Sequence, residues 1–203
     1  MAGKTNFDVT MALSSKVPVT YVDSATIQKQ PNAVKGTKTL GVTVPSVAIP
    51  MPTLEWQETP EKAKGMVTLA ITKVSVAVSV TAKVMIDQAI DKSSDCYKHV
   101  YEHEKRHLLA YKNGATSHTA EIRRAVTDAT APQLKAPVKV AAKDVDSFKE
   151  KAVKRVVEAL DTAVIEAMNA IKTESLAIHT AEERKKTNTI CAAHLTGTTP
   201  TTP

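Results

Sequence analysis

The period of the hydrophobic pattern changes once along this chain, near residue 93, and that change does most to limit the fold. Ahead of it Val67, Leu69 and Ile71, then Val74, Val76, Val78 and Val80, alternate with Thr, Ala, Lys and Ser. Apolar residues at every second position mark a strand with one face on a core. Behind it Val145, Phe148, Ala152, Val153, Val156, Val157, Leu160, Val164, Met168, Ile171 and Ile178 recur at spacings of three and four. That spacing draws a single apolar stripe along a helix, and its plainest role is to pack against a second helix.

The expected fold class is α+β: a β-rich N-terminal part, made of a small antiparallel sheet and an extended arm, followed by two long antiparallel helices. Residues 7–13 and 17–22 are β-prone. Residues 36–52 hold Leu40, Val42, Val44, Val47 and Ile49 among three prolines, and read as an edge strand or arm. Residues 66–86 read as two strands turning near Thr72 and Lys73, with one long bent strand as the alternative. The first helix is expected from about 94 to about 129, with a kink at Asn113 and Gly114. Pro132 and Pro137 mark a connection. The second helix is expected from about 143 to about 189, or from a capping box at Ser147 and Glu150. The organisation is then a β-rich segment over 1–92, a helical hairpin over 93–192 and a Thr/Pro-rich tail over 193–203, together one compact domain.

A chain of 203 residues can bury a sizeable core. Only 3% of it is aromatic, so that core must rely on Val, Ala, Ile and Leu. The net charge of +6 permits attraction to acidic surfaces. The basic residues are dispersed, however, and aromatics are not interleaved with them, which argues against a platform for stacking bases. Specific nucleic-acid binding is not expected. No apolar run reaches membrane-spanning length. Residues 1–10 lack the charged start and apolar core of a signal peptide. The chain therefore reads as a mature form, a cytosolic protein or a component exported by another route.

One motif carries chemistry. His103-Glu104-Lys105-Arg106-His107 reads H-E-x-x-H. The run from Asp95 to Lys112 has no Pro or Gly, Ser93 or Ser94 is a good N-cap, and Asp95 suits a first turn. The motif is therefore expected on a helix. Residues four apart share a helix face, so both imidazoles reach one ion, with zinc the expected cofactor. Glu104 is placed to take a proton from water activated at that metal.

The two cysteines supply a register. Cys96 opens the first helix and Cys191 closes the second, and in an antiparallel hairpin those ends are neighbours. A disulfide between them closes a long loop, worth roughly 4 kcal/mol in the chain-entropy model. It would imply an oxidising compartment or an extracellular particle. With 96 level with 191, residue 107 faces the height of residue 180. His179 is thus the leading third metal ligand, with Glu182 and Glu183 as ligand or orienting groups at neighbouring heights. Glu174 falls lower and Glu166 points away from the stripe. His99 shares the face of His103 but is about 12 Å from His107, and His118 is about 16 Å away on a continuing helix. His99, His118 and His194 are therefore expected to be exposed or to orient a ligand from outside.

His103, Glu104 and His107 together resemble the zincin metallopeptidases. The metzincin Gly and third His would fall at Ala110 and Asn113, and a thermolysin-type downstream Glu motif is not evident. The layout is closer to a small bacterial family of proposed secreted zinc proteases, known mainly as a domain of unknown function. That family sets a β-rich front before a Cys-preceded H-E-x-x-H helix and a second long helix. The resemblance runs from Val67 to Cys191 and is specific between Cys96 and His107. It implies His103 and His107 as ligands and Glu104 as general base. Tyr101, Tyr111 or Arg106 would supply an oxyanion stabiliser, and the strand from Val74 to Val80 would hold an extended peptide. The substrate is then a peptide or protein. The alternative is a structural or interaction protein of a larger assembly, such as a virion, in which zinc or the disulfide only stabilises.

Overall fold

A computed structural model of the chain describes residues 5–34, 38–62, 65–135 and 137–195. The tail expected from 196 onward lies outside them. In chain order the elements are β1 (Asn6–Leu13), β2 (Val19–Val22), α1 (Ser24–Gln28), β3 (Gly41–Ala48), β4 (Thr53–Pro60), β5 (Met66–Asp87), α2 (Asp95–Ser117), α3 (Thr119–Lys135), β6 (Val138–Ala141), α4 (Val145–Leu176), α5 (Ala181–Ile190) and α6 (Ala192–Leu195). No helix among the described residues is long and apolar enough to cross a membrane.

The expected α+β arrangement is corrected on both counts. The sheet is not small and antiparallel: it has six strands in a mixed α/β fold, and every other strand pairs with β5. β2 runs parallel to β5, whereas β4 and β6 run antiparallel to it. The turn at Thr72 and Lys73 does not occur. β5 is one strand of 22 residues, because that stretch has β-branched residues throughout and no Gly or Pro to turn it. Its Val74, Val76, Val78 and Val80 are all buried, and it is the strand on which the sheet is built. The stretch expected to offer an open edge to a peptide is therefore interior.

The two long helices are not continuous either. The first breaks at His118 rather than at Gly114. The Thr119 hydroxyl donates to the Ala115 carbonyl, the local competition by which Ser and Thr weaken a helix interior. Gly114 is helical, and a Cβ there would lie 2.5 Å from Ile171 Cγ1, so the glycine permits close approach of Ile171. The second breaks at 177–180. Thr180 caps α5, its hydroxyl accepting from the Glu183 amide, so Thr180-x-x-Glu183 is a helix start that the apolar stripe concealed.

The chain forms two compact units. One comprises Met1–Ala12, Ala48–Ser79 and Ala115–Asn169. In it β4 and β6 flank the first part of β5, with Pro60 and Val140 both partnered to Val67. Ile122 and Val126 of α3, and Ala152, Val156, Leu160 and Val164 of α4, are buried. Trp56 meets Phe148 edge to face at 6.1 Å. The other unit comprises Leu13–Val47, Val80–Gly114 and Ala170–Pro203. There β2 pairs with the end of β5, from Val19 opposite Val84 to Val22 opposite Asp87. Its core gathers Leu40, Val84, Ile86, Ile90, Cys96, Val100 and Cys191, with Ile27, Val42 and Met85 in a second cluster. Cys96 and Cys191 form a disulfide, with Cα atoms 4.9 Å apart. All the site residues below belong to this second unit.

Candidate metal centre

α2 carries His103 and His107 on one face, and the turn between α4 and α5 carries His179. The His179 amide donates to Leu176 and the Thr180 amide to Ile178, which holds this turn tight. Ring centroids are 4.7 Å apart for His103 and His107, 5.0 Å for His103 and His179, and 4.8 Å for His107 and His179. One ring nitrogen from each lies within 4.8 Å of the others. The Nε2 atoms of His103 and His107 are 3.0 Å apart.

The opposite nitrogens are occupied. His107 Nδ1 is 2.7 Å from the Ser175 hydroxyl. His103 Nδ1 is 3.1 Å from Glu183 Oε1, and Arg106 bonds to the same carboxylate. With Glu183 accepting, the His103 proton lies on Nδ1 and the Nε2 lone pair faces inward; Arg106 Nη2, which only donates, is also 3.1 Å from that Nδ1. When Ser175 accepts from His107 in the same way, two lone pairs face each other 3.0 Å apart beside a third imidazole and a cation can join them; when Ser175 donates, His107 Nε2–H bonds to His103 Nε2 instead. Tetrahedral zinc with nitrogen ligands at about 2.0–2.1 Å sets neighbouring nitrogens about 3.3 Å apart; the His103 and His107 nitrogens lie near that spacing, and the three together lie within 4.8 Å.

Electrostatics act in the same direction. Burial holds His107 down to about 3, aided by repulsion from His103 and His179. Burial likewise lowers His103 and His179. All three are kept in the neutral form that binds a metal. Burial alone would raise the Glu183 carboxyl, but bonds from Arg106 and His103 outweigh it and hold the group below the usual carboxylate range.

Glu104 is only 3% exposed. Burial raises it to about 7, against the bond from Thr43, whose hydroxyl donates to Oε2 at 2.7 Å. Gly41 and Thr43 of β3 cover it: a Cβ on residue 41 would lie 2.9 Å from Glu104 Oε1. A cavity of about 30 Å³ opens among Glu104, His107, His179, Tyr111 and Ser175. That is space on the scale of a water molecule. A larger one, about 320 Å³, is bounded by Glu104, His103, His179 and residues of α5.

The structure thus brings together His103, Glu104, His107 and His179, with Glu183 behind His103. Of the other histidines singled out in the sequence, His99 borders the larger cavity, and His118 and His194 lie elsewhere. His99 bonds to Thr187 at 2.8 Å and lies 3.6 Å from Glu183. His118 pairs with Glu121 in the other unit. His194 offers its carbonyl to Lys38, and Glu166, Glu174 and Glu182 are exposed. Of the three oxyanion candidates, Tyr111 borders the small cavity. Tyr101 stacks on Tyr97 at 6.0 Å, and Arg106 is engaged by Glu183. Sequence reasoning missed Ser175, Thr43 and Gly41. Ser175 lies one turn before His179, which is a usable signal, whereas the approach of Thr43 to Glu104 spans 61 residues and has none.

Comparison with family models, with curated proteins and with solved structures finds no match for this chain.

Proposed function

We propose that the protein is a zinc-dependent hydrolase, most simply a peptidase of the zincin type, with His103, His107 and His179 as the metal ligands. The convergence of three neutral imidazoles beside the buried carboxylate of Glu104 carries this reading. Bound there, zinc supplies Lewis acidity toward water and toward a substrate carbonyl. Glu183 and Ser175 fix the rings of His103 and His107. Glu104, with a carboxyl near neutrality, accepts a proton from water in the adjoining cavity and returns it to the leaving amine. Thr43 holds one of its oxygens and leaves the other for that exchange. Tyr111, whose hydroxyl is hydrogen-bonded with Ser175 and Asn32, borders the small cavity and would have to exchange one of those partners to meet a developing oxyanion.

The burial of Glu104 favours a second reading, in which the metal only fastens α2 to the turn at 177–180 within a structural protein. One variant separates the two. Under the hydrolase reading Glu104→Gln keeps zinc and loses cleavage of an unstructured polypeptide such as casein. A zinc-loaded wild-type protein that cleaves no unstructured polypeptide or peptide library would leave the structural reading.

A further inference from the structure

The third ligand is held by an unusual device. Among the ten residues of α5 none is buried, so no apolar face holds this helix down. A helix so short gains little from its own hydrogen bonds. Its attachments are a polar seam and a covalent end. Along the seam Glu183 engages His103 and Arg106, and Thr187 engages His99. At the end, Cys191 follows α5 directly and is joined to Cys96 at the start of α2. The residue immediately before the Thr180 cap is His179. The two halves of the metal centre therefore belong to different segments. His103 and His107 come preassembled on α2, while His179 and Glu183 arrive with a strap fastened to that same helix by the disulfide.

We infer that the Cys96–Cys191 disulfide is a positioning device for the metal centre: it closes α5 over α2, and oxidation of this pair is what makes the site retain zinc. Closing the bond removes two electrons and two protons from the two thiols. A disulfide-carrying oxidant takes them and leaves as a dithiol. The reduced chain keeps a two-histidine site on α2; the oxidised chain presents all three imidazoles with Glu183 behind them. Both sulfurs lie in the core cluster with Leu40, Val84 and Val100, so thiol exchange at the bond waits on opening of α5.

This inference rests on the proposed zinc site, and its test keeps the two apart. Zinc affinity is measured by competition with a chromophoric chelator for the oxidised wild type and for Cys96→Ser/Cys191→Ser. Amide exchange is followed over 177–190 and over α2. The paired serine variant should bind zinc at least about tenfold more weakly, the scale on which groups behind a ligand act. It should lose protection over 177–190 while α2 keeps its own. In a His179→Ala/Glu183→Gln background, where the strap has no group left to deliver, the same pair of substitutions should cost no further affinity. An equal loss in both backgrounds overturns the inference, as does wild-type affinity with a protected α5. If the oxidised wild type binds no zinc, the proposed function falls and this coupling with it. If the wild type binds and the serine variant binds as tightly, only the coupling falls. Should the serine variant not fold, the wild type decides. Binding linkage is reciprocal, so one equivalent of zinc must shift the disulfide toward the oxidised form in a glutathione redox buffer by the same factor of about ten or more. An unchanged equilibrium overturns the inference.

Discussion

Gly41→Ala examines how closely β3 lies on the proposed general base. The new methyl would sit 2.6 Å from Val100 Cγ1, 2.9 Å from Glu104 Oε1 and 3.2 Å from Glu104 Cγ, all inside ordinary van der Waals contact. Neither neighbour has a way out. Val100 belongs to the core around Leu40, Val84 and Ile86, and Glu104 is buried with Oε2 tied to Thr43. The strand must lift from α2 by most of an ångström, or the Glu104 side chain must leave its place. Overpacking of this kind costs about 1–3 kcal/mol. In a chain of this length each kcal/mol lowers the melting midpoint by about 2–4 °C. Displacing a catalytic group by ~1 Å costs on the order of 10²-fold in rate. The atoms nearest that methyl belong to Val100 and Glu104 rather than to the imidazoles, so zinc affinity should stay within a factor of about three. Thermal unfolding, chelator competition and peptide cleavage on the zinc-loaded variant measure the three quantities separately. A Gly41→Ala protein that melts and cleaves like the wild type would refute the placement of β3 over Glu104.

Other outcomes follow from the same geometry. His179→Ala should weaken zinc binding by more than about 100-fold and Glu183→Gln by about 10–100-fold, the range for a group that orients a ligand; chelator competition would contradict this if the two losses were equal or absent. Gly114→Ala gains helix propensity of ~1 kcal/mol but sets a methyl 2.5 Å from buried Ile171, so denaturant unfolding should show net destabilisation, partly relieved by Ile171→Val. Tyr97 is pushed up to about 12 by its bond with the Tyr21 hydroxyl and then by burial. Removing that bond in Tyr21→Phe should move the Tyr97 phenol down toward its ordinary value, and an ultraviolet titration with an unmoved midpoint would count against the Tyr21–Tyr97 pairing.

The parts of the molecule written in local spacing were readable in advance. Four-residue spacing puts His103 and His107 on one helix face. The positions of Cys96 and Cys191 point to paired helix ends, and these cysteines are bonded in the structure. His179 was reached by assuming an unbroken second helix, yet it lies in a turn. The register still led there because the disulfide fixes the chain only a short helix away. What spacing does not record was lost. The strand pattern from Met66 to Asp87 fits two strands or one long strand, and alternation does not record how many partners share it, so its place at the centre of a six-stranded sheet is not legible. The apolar stripe runs on past Leu176 to Ile178 and hid the Thr180 cap. Gly114 read as a helix stop because a sequence cannot show Ile171 packed where its side chain would be. Thr43 and Gly41 join the site only through tertiary approach.

X-ray absorption at the zinc edge, on the oxidised 203-residue chain after dialysis against one equivalent of metal, addresses the central claim most directly. The account predicts one tightly held zinc per chain with three imidazole nitrogens at about 2.0–2.1 Å, and one fewer imidazole in the first shell of His179→Ala. A protein that retains no zinc, or whose zinc shell is unchanged when His179 is removed, would contradict it.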